Sequence, residues 1–277
     1  MGNILHEIRE LQDQCEKADG IQLKLNWGTL EKKEESELQD CSHFEDGRLI
    51  GFAGVYDFGN KVEICGMVHP DYRRKGICTG LYQKAMKMAG ASRGREILLN
   101  APENSLTAKE FLKNIPFEFS VSEFQMKWQE AQLEEEEGVE LRLRTERDTS
   151  LEIELDHRCF GLKREEAASF NKSAVREDRQ KALIVEQDGT PVGKMRVSCE
   201  NGSDSWIYGF AVLPEFQGRG IGRKALKKIV LEEKRLGHDI YLEVEARNEN
   251  ALKLYTSTGF QPFYTQDYYR YTGGIEG

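Results

Sequence analysis

Two stretches of this 277-residue chain are near copies of each other. Val68-His69-Pro70-Asp71-Tyr72-Arg73 matches Val212-Leu213-Pro214-Glu215-Phe216-Gln217, and Gly76-Ile77 then matches Gly220-Ile221. Upstream, Gly47 with Ile50-Gly51 matches Gly189 with Val192-Gly193; downstream, Phe117 matches Phe260. The shift between partners stays between 142 and 144 residues. A shift held over so long a span marks a tandem duplication, so the fold must be one that closes twice in about 140 residues.

Periodicity gives that unit an α/β character. In the first half, apolar residues at helical spacing predict helices over 3–18, 76–89 and 104–114, and a charged helix over 30–42. Alternation predicts strands over 21–27, 49–55, 62–68, 96–99 and 117–128. The second half repeats the plan. Strands are expected over 139–143, 182–186, 192–197, 206–213, 239–245, 260–264 and 268–271. Helices are expected over 147–159, 163–172, 220–236 and 249–257. Between the halves lies Glu134-Glu135-Glu136-Glu137-Gly138, a run of like charges that repels itself and reads as a solvated linker. The expected division is therefore 1–130, a linker at 131–138, and 139–277.

The formal net charge of −9 argues against a nucleic-acid partner that works by phosphate neutralisation. No apolar run is long enough for a membrane span, and acidic residues interrupt the N-terminal stretch where a signal peptide would need its apolar core. The six cysteines are scattered without a Cys-x-x-Cys pair, which fits reduced thiols and a cytoplasmic setting and gives no metal site.

The stretch from Gly209 to Arg223 carries the clearest chemistry. It starts as a strand, breaks at Pro214, becomes a glycine loop and opens a helix. Gln217-x-x-Gly220-x-Gly222 aims a row of backbone N–H groups at one point, where a phosphate is attracted and the glycines let it come close. The loop lacks the Gly-Lys-Ser/Thr ending of a P-loop. It also lacks the strand-borne acid of a dinucleotide site, because the stretch about twenty residues on is helical.

A second motif follows: Asn248-x-x-Ala251-x-x-Leu254-Tyr255-x-x-x-Gly259-Phe260. The two motifs in this order resemble the GCN5-related N-acetyltransferases, over essentially all of 139–272 and more weakly over 1–128. The resemblance implies two tandem folds, each a mixed, mostly antiparallel sheet with helices on both faces. Two central parallel strands would splay apart around the pantetheine arm of acetyl-CoA. It implies that backbone groups of Phe210, Ala211 and Val212 meet the pantetheine, that N–H groups of Gln217, Gly218, Arg219, Gly220, Ile221, Gly222 and Arg223 hold the pyrophosphate, and that Asn248 bonds the arm. No metal is implied.

Acetyl transfer to an amine needs a base for the ammonium proton, donors for the oxyanion and an acid for the departing thiolate. The family's acid position falls on Tyr255. Glu243 lies twelve residues earlier, at the separation where the ribosomal-protein alanine acetyltransferases carry their base, and alternation puts Glu243 and Glu245 on one strand face. The residues alone leave other readings open: Tyr255 as a core aromatic, the two glutamates as solvated strand-end acids, His157 or His238 as the base, and a Cys159–His157 nucleophile.

The first half departs from the pattern. Cys78 stands at the position of Gly222, and Leu112, which has no proton to give, stands opposite Tyr255. The expectation is an acetyl-CoA-dependent N-acetyltransferase with its active site in the second half and a catalytically degenerate first half. The acceptor would be a small-molecule or peptide amine, and the protein could be a homodimer. Two alternatives stand beside it: a non-catalytic acyl-CoA-binding regulator, and an enzyme dedicated to protein N-termini.

Overall fold

A computed structural model describes residues 4–58, 61–90, 95–174, 180–200 and 202–273. Asn3, the first residue of the first expected helix, lies outside the described residues with Met1 and Gly2. The chain forms two compact units, 1–123 with 264–277, and 124–263. The acidic stretch 131–138 falls inside the second unit.

In the first unit, helix α1 (Ile4–Asp19) buries Ile4, Ile8, Leu11 and Cys15, one stripe of an amphipathic helix. Two short helices follow, α2 (Trp27–Leu30) and α3 (Glu35–Asp40). Then come strands β1 (Ser42–Glu45), β2 (Arg48–Asp57) and β3 (Lys61–Val68), paired antiparallel. Eight consecutive residues of β2 are buried, as in a strand covered on both faces. Helix α4 (Ile77–Gly90) returns the chain to β4 (Glu96–Pro102), which pairs parallel to β3. Helix α5 (Leu106–Leu112) leads into β5 (Phe117–Trp128), whose last residues, from Phe124, belong to the second unit.

The second unit repeats this order. Strand β6 (Val139–Leu143) precedes helices α6 (Thr149–Phe160) and α7 (Arg164–Ala174). Strands β7 (Gln180–Gln187), β8 (Thr190–Glu200) and β9 (Asp204–Val212) are antiparallel. Helix α8 (Ile221–Arg235) leads to β10 (Asp239–Glu245), parallel to β9; helix α9 (Glu249–Ser257) and strand β11 (Phe260–Tyr271) complete the chain. The end of β11, from Tyr264, belongs to the first unit and pairs antiparallel with β4. The core of the second unit joins Leu242, Val244, Ile221, Leu226, Ile229 and Phe260, with Met126 of β5 fully buried among them.

The structure corrects three expectations. Residues 21–27 do not form a strand: the alternation buries Ile21, Leu23 and Leu25, yet the segment lies over other elements instead of pairing in a sheet. Residues 30–42 are not one helix but parts of α2, α3 and the start of β1. The two expected terminal strands are one. The glutamate run carries no regular structure and ion-pairs with α8 through Glu135–Arg235 and Glu136–Lys227.

Candidate active site

Strands β9 and β10 are paired only at their beginnings. The parallel register runs from Asp204 opposite Asp239 to Ile207 opposite Leu242 and then stops. The cause lies on the other side of β9. Its pairing with β8 slips between Lys194, opposite Ala211, and Arg196, opposite Tyr208. Two residues of β9, Gly209 and Phe210, therefore face the single Met195. Such a bulge bends its strand, and Gly209 takes φ +56°, a conformation that glycine enters without steric cost. A Cβ there would also stand 3.2 Å from the Arg196 guanidinium. Beyond the bulge, Phe210, Ala211 and Val212 run apart from Glu243, Val244 and Glu245. Ala211 and Val212 are buried and Phe210 is half-buried, with Ala211 packed under Leu155 of α6.

The chain then turns through Pro214–Phe216 into the glycine loop. Gln217 Nε2 donates to the Val212 carbonyl at 2.8 Å, tying the loop to the strand end. Gly218 and Gly220 have φ of +73° and +79°, and Gly220 caps α8 without a side chain. The first backbone hydrogen bond of α8 is Lys224 N–H to the Gly220 carbonyl. Ahead of it, the N–H groups of Gly218 to Arg223 have no acceptor among the described residues, and they form the positive end of a fifteen-residue helix. At Gly222 a Cβ would make only ordinary contact, 3.5 Å from Leu254 and 3.8 Å from Phe210. The protein's own contacts would therefore accept a small side chain there. These groups fit a pyrophosphate. Among the described residues, no three His, Cys, Asp or Glu side chains are grouped to hold a metal ion.

Burial alternates along β10: Ile240, Leu242 and Val244 are buried, while Tyr241, Glu243 and Glu245 are half-exposed. Tyr255 belongs to the core cluster of Leu242 and Val244, its ring edge-on to Phe260 at 6.2 Å. Glu243 therefore lies on one side of β10 and Tyr255 packs on the other, at the level where β9 and β10 part. Burial pushes the Tyr255 phenol up to about 12, and its hydroxyl makes no hydrogen bond among the described residues. Asn248 caps α9, its Oδ1 accepting from Ala251 N–H at 3.1 Å, which leaves its amide nitrogen for another partner.

The other sequence candidates are engaged elsewhere. His157 Nδ1 lies 2.8 Å from the Leu162 carbonyl, and Cys159 Sγ faces the Val212 carbonyl, so the two do not form a nucleophile pair. His238 bonds Glu233 beyond the end of α8.

Motif reading missed three groups near the splay. Gln125 of β5 donates to Glu243 at 2.9 Å. A stack of rings, Trp206 with Tyr208 and Tyr241, lies on β9 and β10, with Tyr241 on the same face of β10 as Glu243. Beneath α6 and α7, Lys194 pairs with Asp156 at 2.6 Å, and Asn171 bonds the other carboxylate oxygen. These residues sit outside both motifs; the repeat shift, which sets Gln125 opposite Tyr268, was the available signal for the first.

The first unit builds the same scaffold. Strands β3 and β4 pair from Lys61–Glu96 to Ile64–Leu99 and then part. Arg73 Nε donates to the Val68 carbonyl, as Gln217 does to Val212, and Cys15 Sγ faces that carbonyl as Cys159 does. Arg74 and Gly76 hold φ of +65° and +82°. An open hollow of about 470 Å³ borders this loop at His43, Lys75 and Gly80. The chemistry differs: Leu112 replaces Tyr255, and Asn100 replaces Glu243.

A splayed parallel pair followed by a glycine loop at a helix start, present twice, defines an acyl-CoA N-acyltransferase architecture. The sequence model of the acetyltransferase (GNAT) family matches residues 5–115 and 130–260. The chain belongs to that family and carries two of its domains in tandem.

Its solved likenesses include a GCN5-related N-acetyltransferase from Sphaerobacter thermophilus (TM-score 0.70, 21% identity, 95% of this chain and 91% of that one). A tandem GNAT protein from the clavulanic acid biosynthesis pathway is similar over 96% of this chain and 94% of its own (TM-score 0.69, 15% identity). Both support the fold. Among curated proteins, the N-alpha-acetyltransferase RimI of Mycobacterium tuberculosis is 41% identical over 68 residues, 24% of this chain and 42% of that protein. The ribosomal protein bS18-alanine N-acetyltransferase of Escherichia coli K12 is 37% identical over 75 residues, 26% of this chain and 51% of that protein. The chain thus spans about half the length of these relatives or less. Among the described residues no helix is long and apolar enough to cross a membrane.

Proposed function

We propose that the protein is an acetyl-CoA-dependent N-acetyltransferase with its active site in the second unit, acting on a primary amine by direct attack in a ternary complex. The observation that carries this reading is the gap opened by the Gly209 bulge, with Glu243 on one side of β10, Tyr255 on the other, and unfilled N–H donors from Gly218 to Arg223 beyond it. Acetyl-CoA would supply the activated thioester. The loop N–H groups would hold its pyrophosphate, the backbone of Phe210 to Val212 its pantetheine amides, and the Asn248 amide nitrogen the same arm.

Glu243, half-exposed, takes the ammonium proton directly or through water. Unpaired backbone N–H near Val212 stabilises the developing oxyanion. Tyr255, protonated at neutral pH as any phenol is, gives its proton to the leaving sulfur and regains one from the nitrogen through water. No covalent cysteine step is needed. The presence of Tyr255 and Gly222, where the first unit has Leu112 and Cys78, favours turnover over mere binding. The activities named for the two curated relatives favour an α-amino group on a peptide as the acceptor. Six free cysteines fit a reducing, cytoplasmic setting.

The test is transfer of labelled acetyl from acetyl-CoA to an amine panel that includes a peptide beginning with alanine. The expected result is acetylated product with one CoA released per acetyl moved. Tight acetyl-CoA binding with no transfer to any amine would overturn the enzyme reading in favour of a regulatory binder.

A further inference from the structure

The repeat accounts for a polar group that the second unit leaves without a partner. Gln125 is 6% exposed. Its Nε2 donates to Glu243, but its Oε1 is buried with no donor. Native structures rarely leave a buried acceptor unmet. Asn100 Oδ1, at the place of Glu243 in the first unit, is unmet as well, but only Gln125 is bonded to the carboxylate proposed as the base, where a ligand can bring the missing donor.

The first unit indicates what that donor is. The same 143-residue shift carries Gln125 to Tyr268 and Glu243 to Asn100, and those two are paired directly on β11 and β4. There an amine of the chain itself is in place. Lys24 Nζ donates to the Tyr268 hydroxyl at 2.7 Å and to Glu123 Oε2 at 3.0 Å, and lies 5.4 Å from the centre of the Tyr268 ring. Burial would raise the Glu123 carboxyl, but the Lys24 ammonium outweighs it and holds Glu123 below the usual range. The irregular segment 21–27 brings Lys24 in. It is fastened by Leu23 N–H to Glu16 and by Gln266 Nε2 to the Gln22 carbonyl. In the second unit the shifted stretch is helix α7, and Ala167 stands at the position of Lys24.

We propose that Gln125 Oε1 and the Glu243 carboxylate form the seat of the acceptor's ammonium group, the counterpart of the place that Lys24 fills in the first unit. This rests on the second unit being the transferase. A primary ammonium has three N–H donors; Gln125 and Glu243 take two, which selects amines over alcohols and thiols. In the reaction Glu243 takes one proton from the ammonium, the C–N bond forms and the C–S bond breaks, Tyr255 gives its proton to the sulfur, and the second nitrogen proton returns through water to the Tyr255 oxygen, leaving a neutral amide. Gln125 only binds and orients.

The experiment measures steady-state kinetics of the full chain with acetyl-CoA and two probes, 1,4-diaminobutane and an alanine-initiated peptide. Gln125→Met keeps the volume and removes both polar atoms. The expected result is an acceptor KM raised about ten-fold or more, as for loss of a charge-assisted hydrogen bond, with the acetyl-CoA KM and Tm unchanged. Gln125→Glu places a second carboxylate beside Glu243 and should move the acid limb of kcat/KM to higher pH. Wild-type transfer to neither probe overturns the reading of the site and the seat with it. Wild-type transfer with an unmoved acceptor KM in Gln125→Met, or with both KM values rising as Tm falls, overturns the seat alone.

Discussion

Tyr255→Phe separates a catalytic phenol from a core ring. The ring packs in the second unit's core against Phe260, and 8% of the residue is exposed. Phenylalanine fills the same space. The hydroxyl makes no hydrogen bond among the described residues, so its removal breaks none, and stability should change by less than about 1 kcal/mol. Removing a general acid typically lowers rate by about 10²–10⁴. The CoA thiolate leaves far more readily than an alkoxide, since a thiol's pKa is near 8.5, so the low end applies. A drop of about 10² in kcat corresponds to about 2.7 kcal/mol of barrier. Burial holds the phenol near 12, above its ordinary value. A raised value means the proton stays on through the whole working range, and any folding stability linked to it is lost only between about pH 10 and 12. The wild-type rate should therefore show no basic limb from Tyr255 below about pH 11. The assay follows thiol release and acetylated product together, with thermal melts alongside. A kcat within three-fold of wild type at equal Tm would refute the acid role and leave Tyr255 as packing.

Gly222→Glu brings a carboxylate to the loop from a position whose Cβ would make only ordinary contact with Leu254 and Phe210; Tm should hold within a few degrees while the acetyl-CoA KM rises about ten-fold or more by like-charge repulsion, and an unchanged KM would count against the loop as the pyrophosphate site. Asp148 accepts both Arg142 nitrogens at 2.7 and 2.8 Å, which holds its carboxyl well below the carboxylate range. Its stabilisation is full above about pH 4 and is lost as pH falls through the lowered value, so Asp148→Asn should cost about 1.5–3 kcal/mol at pH 7 and flatten the acid dependence of urea midpoints. Lys194→Met leaves Asp156 buried without its ammonium and should cost about 3–5 kcal/mol; the double change Lys194→Met with Asp156→Leu should recover most of it, measured by denaturant unfolding.

The sequence exposed whatever is local and periodic. The repeat, the α8 stripe of Ile221, Ala225, Leu226, Ile229 and Val230, and the alternation along β10 all placed their elements correctly, because each depends on neighbours within a turn or a pleat. The segment 21–27 misled for a physical reason: burial on one side produces alternation whether or not the backbone pairs, and alternate burial of Ile21, Leu23 and Leu25 is all the sequence encodes. The bulge at Gly209 was invisible, since a register slip depends on which strand lies opposite. Gln125 was invisible for the same reason, its meaning coming from Glu243, 118 positions away.

Loop geometry and chemistry are separable in this chain. The first unit holds the left-handed turn with Arg74, a residue for which that conformation costs roughly 1 kcal/mol, so the strand-to-helix connection itself demands the turn. A well-formed loop is therefore evidence of the fold and weak evidence of a working site. What distinguishes the units lies around the splay. In the second, Glu243 and Tyr255 flank it, and Gln125 bonds the Glu243 carboxylate. In the first, Asn100 and Leu112 hold the matching positions, and Lys24 already donates to Tyr268 and Glu123. If the proposed route is right, the first unit, where Lys24 occupies the matching place and Leu112 stands at the position of Tyr255, should not turn over an external amine even with a phosphate held on its loop.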